Sequence, residues 1–247
     1  MSPEPITADR IYRRLKQDIL DGILRPGAPL VVQALADHYG VSISPVRDSA
    51  HQLVGEQLLA SNLGGGFVVP LVTADTLRDL YTWHGYLVRH ALKAREPSQG
   101  DLEAVEVLQR HGPLHPRELR DAANSLFSFI GSRPKNAVHS RAIMMAGDRL
   151  AIARLHEPLV FDNVQDELLA IWNLTRSGSD GAIREAIWAY HRRRIRLFLK
   201  MEVVMERLEN LESDMIDLGH ASAETQGIGM VDRYNPAGQQ QTGILDE

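Results

Sequence analysis

Apolar residues recur every three to four positions through most of this chain, the spacing that places them on one face of an α-helix. The first such stretch, residues 7–24, carries a stripe of four residues spaced four apart: Ile11, Leu15, Ile19 and Ile23. Thr7 can cap the start of this helix, and Gly22 can help to end it. The pattern therefore predicts a first helix over residues 7–24 that buries its stripe under the next elements.

Two shorter periodic stretches follow, at residues 32–39 and 44–56. Gly40 between them allows the chain to leave the first helix, and Ser42 or Ser44 can cap the second. Two short helices joined by such a tight turn form a helix-turn-helix.

Two short strands are predicted after the helix-turn-helix, at residues 58–61 and 67–69. The glycine run Gly64–Gly66 lies between them and can adopt positive φ at a hairpin tip. A hairpin at this place is a wing, and Pro70 then marks a short linker. Residues 1–70 are therefore predicted to form a winged helix-turn-helix domain with a small β-wing.

From Thr73 onward the pattern is helical almost throughout, with breaks at glycine and proline, one of them Pro158. The predicted helices lie near residues 73–95, 101–110, 116–130, 136–155, 162–175 and 181–217. The fold class is thus mostly α, with an all-α antiparallel helical bundle over residues 73–217. Residues 218–247 lose the period and gain Gly, Gln, Ser and Asn, which predicts a flexible tail.

The composition of the chain limits the classes of function that are possible. The chain has 247 residues, 44% of them hydrophobic, and no cysteine, so disulfides and thiolate metal sites are excluded. Neither a leader-like start nor an apolar stretch of membrane-spanning length is evident, so we expect a cytoplasmic protein with no membrane partner. The net charge of −5 argues against a non-specific coat on nucleic acid, but a site-specific reader needs only one basic face.

The first seventy residues combine several motifs in a fixed order. A Gly22–Gly27 turn precedes Leu35-Ala36, then come Gly40-Val-Ser, Pro45-Val-Arg and a glycine-ended wing. In this order the motifs resemble the GntR family of bacterial winged-helix transcription factors over residues 7–70. The resemblance implies a domain that binds double-stranded DNA through the second helix of the helix-turn-helix.

The recognition helix carries one arginine suited to reading bases, Arg47, because a guanidinium can donate two hydrogen bonds to guanine. The family has a second arginine where this chain has Ile43, which could instead contact a thymine methyl group. The predicted DNA-contact residues are Gln33, Ser42, Ile43, Ser44, Pro45, Arg47, Gly64, Gly65 and Gly66. The alternatives are a surface ion pair for Arg47 and an ordinary tight hairpin for the glycines.

The helical half resembles the FCD, or FadR-like, branch of the same family, most closely at Asp180–His191 and also at Asn136. This resemblance implies a bundle that pairs two subunits and binds a small effector. Many members hold a divalent metal there with an Asp and a His four apart on one helix and two further histidines. The corresponding positions here are Ala123, Phe127, Gln165 and His191, so one ligand remains.

One imidazole cannot hold a metal ion tightly, so we expect no metal and no cofactor. The predicted effector pocket is lined by Phe127, Arg141, Gln165 and His191, a set suited to an apolar ligand with one polar or acidic end. For His191 a core histidine with one satisfied hydrogen bond is an equal alternative. His84 and the other scattered histidines are interpreted as surface or core residues.

Together these features predict a homodimeric transcriptional repressor that binds a palindromic operator and responds to a small effector, an organic acid or acyl compound. No nucleophile elbow, Walker sequence or dinucleotide fingerprint occurs, so an enzyme is not expected. Two alternatives remain: a constitutive DNA-binding module without effector response, and a metalloenzyme built on the helical bundle.

Overall fold

The computed structural model describes five parts of the chain: residues 5–62, 65–94, 98, 103–177 and 180–197. All of them lie in the first of two units, Met1–Met205. The second unit, Glu206–Glu247, and with it the predicted tail 218–247, lies outside the described residues.

The winged part of the chain contains short strands between and after its helices. In chain order its elements are α1 (Pro5–Leu20), β1 (Pro29–Leu30), α2 (Val32–Tyr39), α3 (Ile43–Gly55), β2 (Ala60–Ser61) and β3 (Phe67–Val68). α2 has the predicted bounds, and α3 begins one residue before the predicted start. The predicted winged helix-turn-helix is therefore present.

The first helix ends four residues before its predicted end. The chain turns at Gly22, where φ is 72°, so Ile23 leaves the stripe and is 60% exposed. The helix begins at Pro5, so Thr7 lies within α1 and not at the predicted cap position. The remaining stripe residues, Ile11, Leu15 and Ile19, are buried as predicted, because they face α3 and the wing.

The sheet has one strand more than the sequence pattern predicted. β3 is central, with β2 and β1 antiparallel on its two sides, so that Val68 lies opposite both Ala60 and Pro29. β1 has two residues, too few to produce a recognisable alternation. The predicted first strand is shorter than expected, because Leu58 and Leu59 are buried in the core before β2 begins.

The helical part follows the predicted order of helices, except that one predicted helix is divided into two. Its helices are α4 (Ala74–Ala91), α5 (Glu103–Glu106), α6 (Pro116–Gly131), α7 (Ala137–Arg149), α8 (Ala151–Val160), α9 (Val164–Ser177) and α10, described over residues 180–197. A 3₁₀ turn at Val107–Gln109 follows α5. The single helix predicted over 136–155 is wrong, because the chain divides at Leu150 into α7 and α8.

Proline and capping residues fix several of these ends. Pro158 lies inside α8, so the predicted break there is also wrong; the helix ends where Phe161 N donates to Glu157 O. Asn136 caps α7 by accepting hydrogen bonds from two backbone N–H groups. Its side chain thus caps the start of the helix that the sequence predicted to begin at residue 136. None of the described helices is both long and apolar enough to cross a lipid bilayer.

Polar contacts join the winged part to the bundle. Lys16 of α1 forms ion pairs with Glu56, 2.9 Å away after α3, and with Asp148 of α7, 2.8 Å away. Arg120 of α6 is buried and donates to Leu20 O at the end of α1 and to the Asp21 carboxylate. The first contact reaches the C-terminal end of α3, at Glu56, and the second reaches the C-terminal end of α1.

Candidate nucleic-acid interface and buried polar cluster

The N-terminal turn of α3 presents an exposed polar edge. Ser42 occupies the cap position, but its hydroxyl makes no capping hydrogen bond, contrary to the expectation that it or Ser44 caps the helix. Both serines are exposed. Their hydroxyls and the first backbone N–H groups of α3 are thus placed to meet phosphate oxygens.

Arg47 lies one turn further along the same exposed face as Ile43. Within the described residues no carboxylate pairs with the Arg47 guanidinium, so the alternative of a surface ion pair is not found there. Ile43 is 39% exposed, which leaves its side chain available for an apolar contact. Pro45, predicted to contact DNA, is instead buried because it lies on the opposite side of the helix, next to Val46 in the core.

Gln33 on α2 is exposed, but its side-chain amide already donates to Asp37 Oδ1 at 2.9 Å. Gln33 and Asp37 are one helical turn apart, which brings the two side chains together. This bond engages one of the two N–H groups of the Gln33 amide, and the second can still donate to a phosphate.

The wing tip turns where the glycine run predicted it. Gly65 has a φ of 84°, and its N–H donates to Asn62 O, while Asn62 N donates to Gly66 O. Gly66 does not have positive φ, and Gly64 lies outside the described residues. An alanine Cβ at Gly65 would have open space around it but would be strained by the backbone conformation.

The four predicted effector residues do not converge on one pocket. Phe127 and His191 are both buried, with ring centroids 5.4 Å apart. Arg141 lies instead on an exposed face of α7, where its Nη2 is 3.9 Å from Glu56 Oε1. Gln165 binds the loop before α6 through Leu114 N, 3.3 Å from its Oε1. The prediction of one shared pocket is wrong. It rested on positions along the helices, whereas helix packing directs Arg141 and Gln165 away from His191.

His84 is a partner that the sequence reasoning missed. It lies on α4, is fully buried, and its Nδ1 is 2.8 Å from Nε2 of His191. Burial lowers the pKa of His191 to about 3 and the pKa of His84 well below its usual value, so both rings are neutral. No signal in the sequence connects these two histidines, which are far apart along the chain.

The hydrogen bonds of this pair determine where its protons lie. His191 Nδ1 is 2.7 Å from Ile187 O, a carbonyl that can only accept, so Nδ1 carries the proton and Nε2 accepts. His84 Nδ1 must then donate to that Nε2. As a consequence His84 Nε2 is a bare acceptor, and it is buried with no hydrogen-bond partner among the described residues.

Arg154 of α8 brings unsatisfied donors to the same cluster. It is 2% exposed, donates from Nη1 to Asn124 Oδ1, and lies over the ring of Phe127 at 5.5 Å. Its Nε and Nη2 are buried and have no hydrogen-bond partner in the described part of the chain. Leaving charged donors unpaired in a protein interior is costly, so such groups ordinarily have a ligand or water.

A second buried arginine in the same bundle has its charge and its N–H donors paired. Arg194 of α10 donates from Nη2 to Glu157 Oε2 at 2.7 Å, and Tyr81 OH donates to Glu157 Oε1 at 2.6 Å. Burial by itself raises the pKa of Glu157, but Arg194 and the other charged and hydrogen-bonded neighbours together outweigh it and hold that pKa below its usual value. Arg194 belongs to a basic run at residues 191–196, yet it is fully buried.

The residues at the family's metal position do not fit a divalent cation. Ala123 and Phe127 offer no donor atom, and His191 has both ring nitrogens engaged. The Arg154 guanidinium beside them would repel a cation. Among the described residues, no group of three or more His, Asp or Glu side chains could hold a metal ion.

Two family models match this chain. Residues 7–69 match the model described as bacterial regulatory proteins of the gntR family. Residues 205–246 match the model described as the lasso peptide subterisin.

Curated relatives match about half of the chain. It is 32% identical over 129 residues to the HTH-type transcriptional regulator BphR of Paraburkholderia xenovorans (strain LB400), covering 49% of this chain and 52% of BphR. It is 26% identical over 115 residues to the HTH-type transcriptional repressor GlaR of Escherichia coli (strain K12), covering 47% of this chain and 52% of GlaR. The matches span about half the length of these relatives.

Solved structures share the fold over most of the chain. A transcriptional regulator from Rhodococcus sp. RHA1 superimposes with a TM-score of 0.68 at 19% identity, covering 78% of this chain and 98% of that one. E. coli McbR/YncC superimposes with a TM-score of 0.56 at 19% identity, covering 78% of this chain and 97% of that one. At this identity the likeness establishes the fold alone.

Proposed function

We propose that this chain, whose residues 7–69 match the gntR family of bacterial regulatory proteins, is a DNA-binding transcriptional regulator controlled by a small effector. The observation that carries the proposal is the exposed Arg47, which has no carboxylate partner among the described residues, on a helix whose N-terminal turn offers hydroxyl and N–H donors. Regulators of this kind act on chromosomal DNA, so the protein belongs in the cytoplasm. Relatives named as regulators also support a non-enzymatic role.

In this proposal the exposed edge of α3 enters the major groove. Arg47 donates two hydrogen bonds to one guanine, and Ile43 contacts a neighbouring thymine methyl group. Ser42, Ser44 and the helix N-terminus bind phosphates and set the register without reading bases. The wing approaches the minor groove at Gly65.

We further propose a homodimer that represses transcription from a palindromic operator. Two-fold symmetric readers place their recognition helices about one helical turn of DNA apart, roughly 34 Å. A change in the spacing or angle of the two winged parts would then weaken binding. The name of GlaR as a repressor supports the sign of regulation.

The effector site of this proposal is the buried cluster of Arg154, His84, Asn124 and Phe127, in an FCD-like bundle. Arg154 offers unpaired N–H donors to an acidic group, and His84 Nε2 offers an acceptor to a hydroxyl group. A small organic acid fits these groups without a metal ion. Thermal melting with a panel of hydroxy acids tests it: the midpoint should rise for wild type with and without EDTA, and should not rise for Arg154→Met.

The DNA-reading role is tested with a duplex selected by the protein from a random pool. Fluorescence anisotropy should show Arg47→Ala weakening binding to that duplex by roughly 10- to 100-fold, the loss expected for one bidentate base contact. Binding to random duplex should change little. Arg110→Ala is the matched control, because Arg110 is an exposed arginine on the bundle paired with Glu118. Equal affinities of wild type for selected and random duplex would overturn the proposal.

A second candidate function concerns residues 205–246. Their match to the lasso peptide model favours a peptide segment with a role separate from operator binding. Deleting residues 205–247 should then leave the affinity for the selected duplex unchanged. Intact-mass measurement of the protein from its native host should show whether this segment is released.

A further inference from the structure

A cavity lies between the winged part and the helical bundle, away from the His84–Arg154 cluster. Its volume is about 430 Å³, within the range of small-molecule sites. The walls come from both parts of the chain. Apolar side chains dominate them, among others Leu20, Val54, Leu58, Leu80 and Ile152. Leu71 lies at the rim and is 59% exposed, so one more apolar side chain is available to cover an occupant.

One cationic side chain, Arg149 of α7, faces this apolar cavity. Its Nη1 donates to Gln57 Oε1 at 2.6 Å, and Gln57 is a neutral partner. Within the described residues no carboxylate pairs with Arg149, and burial alone lowers its pKa. The neighbouring Asp148 also lines the cavity, but its charge is matched by Lys16 at 2.8 Å.

Gln57 is held in an unusual backbone conformation. Its φ is 60°, in the left-handed region that non-glycine residues seldom adopt. The turn that follows α3 is thus shaped so that the Gln57 side chain meets Arg149 across the two parts. Residues in such conformations cluster at ligand clamps and switch regions.

We propose that this cavity binds a single-chain amphiphilic carboxylate, with its apolar chain between the winged part and the bundle and its carboxylate on Arg149. A carboxylate would give the guanidinium a charge-assisted, bidentate partner that Gln57 cannot supply. With about 30 Å³ for each non-hydrogen atom, close to the volume of a water molecule in the liquid, the cavity holds roughly 14 such atoms. That corresponds to a saturated chain of about ten to twelve carbons.

The walls explain what such a ligand would do. Val54 and Gln57 belong to the end of the recognition helix and its following turn, whereas Arg149 and Ile152 belong to the bundle. A ligand that fits one arrangement of the two parts better than another shifts the population toward it. The consequence for DNA rests on the proposed function, but the binding itself does not.

Isothermal titration of the full-length protein with decanoate, without DNA, tests the site. Wild type should bind decanoate, and decanol should bind more weakly because it lacks the charge. Arg149→Gln should weaken decanoate binding by roughly tenfold and leave decanol unchanged, while Arg149→Lys should restore part of the loss. Arg110→Gln, an exposed arginine remote from the cavity, is the matched control and should bind as wild type does.

A second variant tests the apolar chain and guards against misfolding. Val72→Phe projects into the cavity from the half-buried linker and should abolish binding of both decanoate and decanol, with an unchanged melting temperature in buffer. Absent decanoate binding by wild type would overturn the proposal, and so would equal binding by Arg149→Gln. If decanoate binds but does not alter duplex affinity, the site stands and its regulatory consequence fails. If no duplex is preferred at all, the proposed function fails independently.

Discussion

Lys16 forms ion pairs with one carboxylate of the winged part and one of the bundle, so replacing it should lower the free energy of unfolding by a large and pH-dependent amount. Lys16→Met keeps the length of the side chain and removes the ammonium group. Glu56 and Asp148 then lose their partner, although their side chains are only 8% and 18% exposed. Glu56 retains a hydrogen bond from Tyr12 OH at 2.7 Å.

The magnitude follows from this burial. Removing one partner of a fully buried ion pair costs about 3–5 kcal/mol, because the other charge is left uncompensated. Lys16 is 21% exposed, and water therefore screens part of this loss. We expect the free energy of unfolding to fall by about 2 kcal/mol at pH 7, with a midpoint roughly 4–8 °C lower. The second change Asp148→Asn should restore part of the loss.

The pH dependence gives the sharper test. Burial raises the pKa of Glu56, but the hydrogen bonds from Lys16 and Tyr12 and the nearby positive charges together outweigh it and hold that pKa below its usual value. In wild type this carboxylate stabilises the fold above its unfolded pKa, and the stabilisation is lost as pH falls through the folded pKa. In Lys16→Met the hydrogen bond and charge of Lys16 are lost while burial and the Tyr12 hydrogen bond remain, so the Glu56 pKa should rise above its wild-type value.

Urea denaturation at pH 7 and pH 5 measures this difference. The penalty of Lys16→Met should shrink at pH 5, because the uncompensated carboxylates can take up protons. Lys93→Met is the matched control, since Lys93 is exposed on the bundle, and it should change the free energy of unfolding by less than about 0.5 kcal/mol. A Lys16→Met penalty that equals the control, or that grows at pH 5, would refute the reasoning.

Two further predictions concern the buried histidine pair. The folded pKa of His191 is about 3, below its unfolded value, so the unfolded state binds more protons below about pH 6.5 and the free energy of unfolding falls as pH drops from there. His191→Gln should reduce this fall in a series of urea denaturations between pH 7 and pH 5. An unchanged dependence on pH would contradict the prediction. Gly85→Ala should lower the melting temperature, although alanine favours helix, since its Cβ would lie 3.0 Å from Cγ of the His191 ring, whose nitrogens are both hydrogen-bonded. A higher melting temperature would show that the ring can move.

Local signals in the sequence were sufficient to predict the helices and the wing turn of the winged part. The period of residues 32–39 and Gly40, whose φ is 66°, defined α2 and its end. The glycine run located the wing turn, and Asn136 marked the start of α7. Each of these signals acts on backbone within a few residues, so no knowledge of packing was needed.

Contacts between distant segments were beyond such signals. The sequence did not indicate that His84 meets His191, that Arg154 leaves donors unpaired, or that Pro45 is buried. Its expectation that Arg141 and Gln165 share a pocket with His191 was wrong for the same reason.

The sequence by itself determined the kind and order of the elements, because hydrophobic period, caps and glycine turns are properties of neighbouring residues. The tertiary structure alone decided which side chains meet. Packing of helices sets the rotation of each face, and a rotation of one residue, about 100°, exchanges a buried position for an exposed one. The helix-turn-helix with its wing could therefore be predicted, whereas the buried cluster and the cavity at Arg149 had to be found in the folded chain.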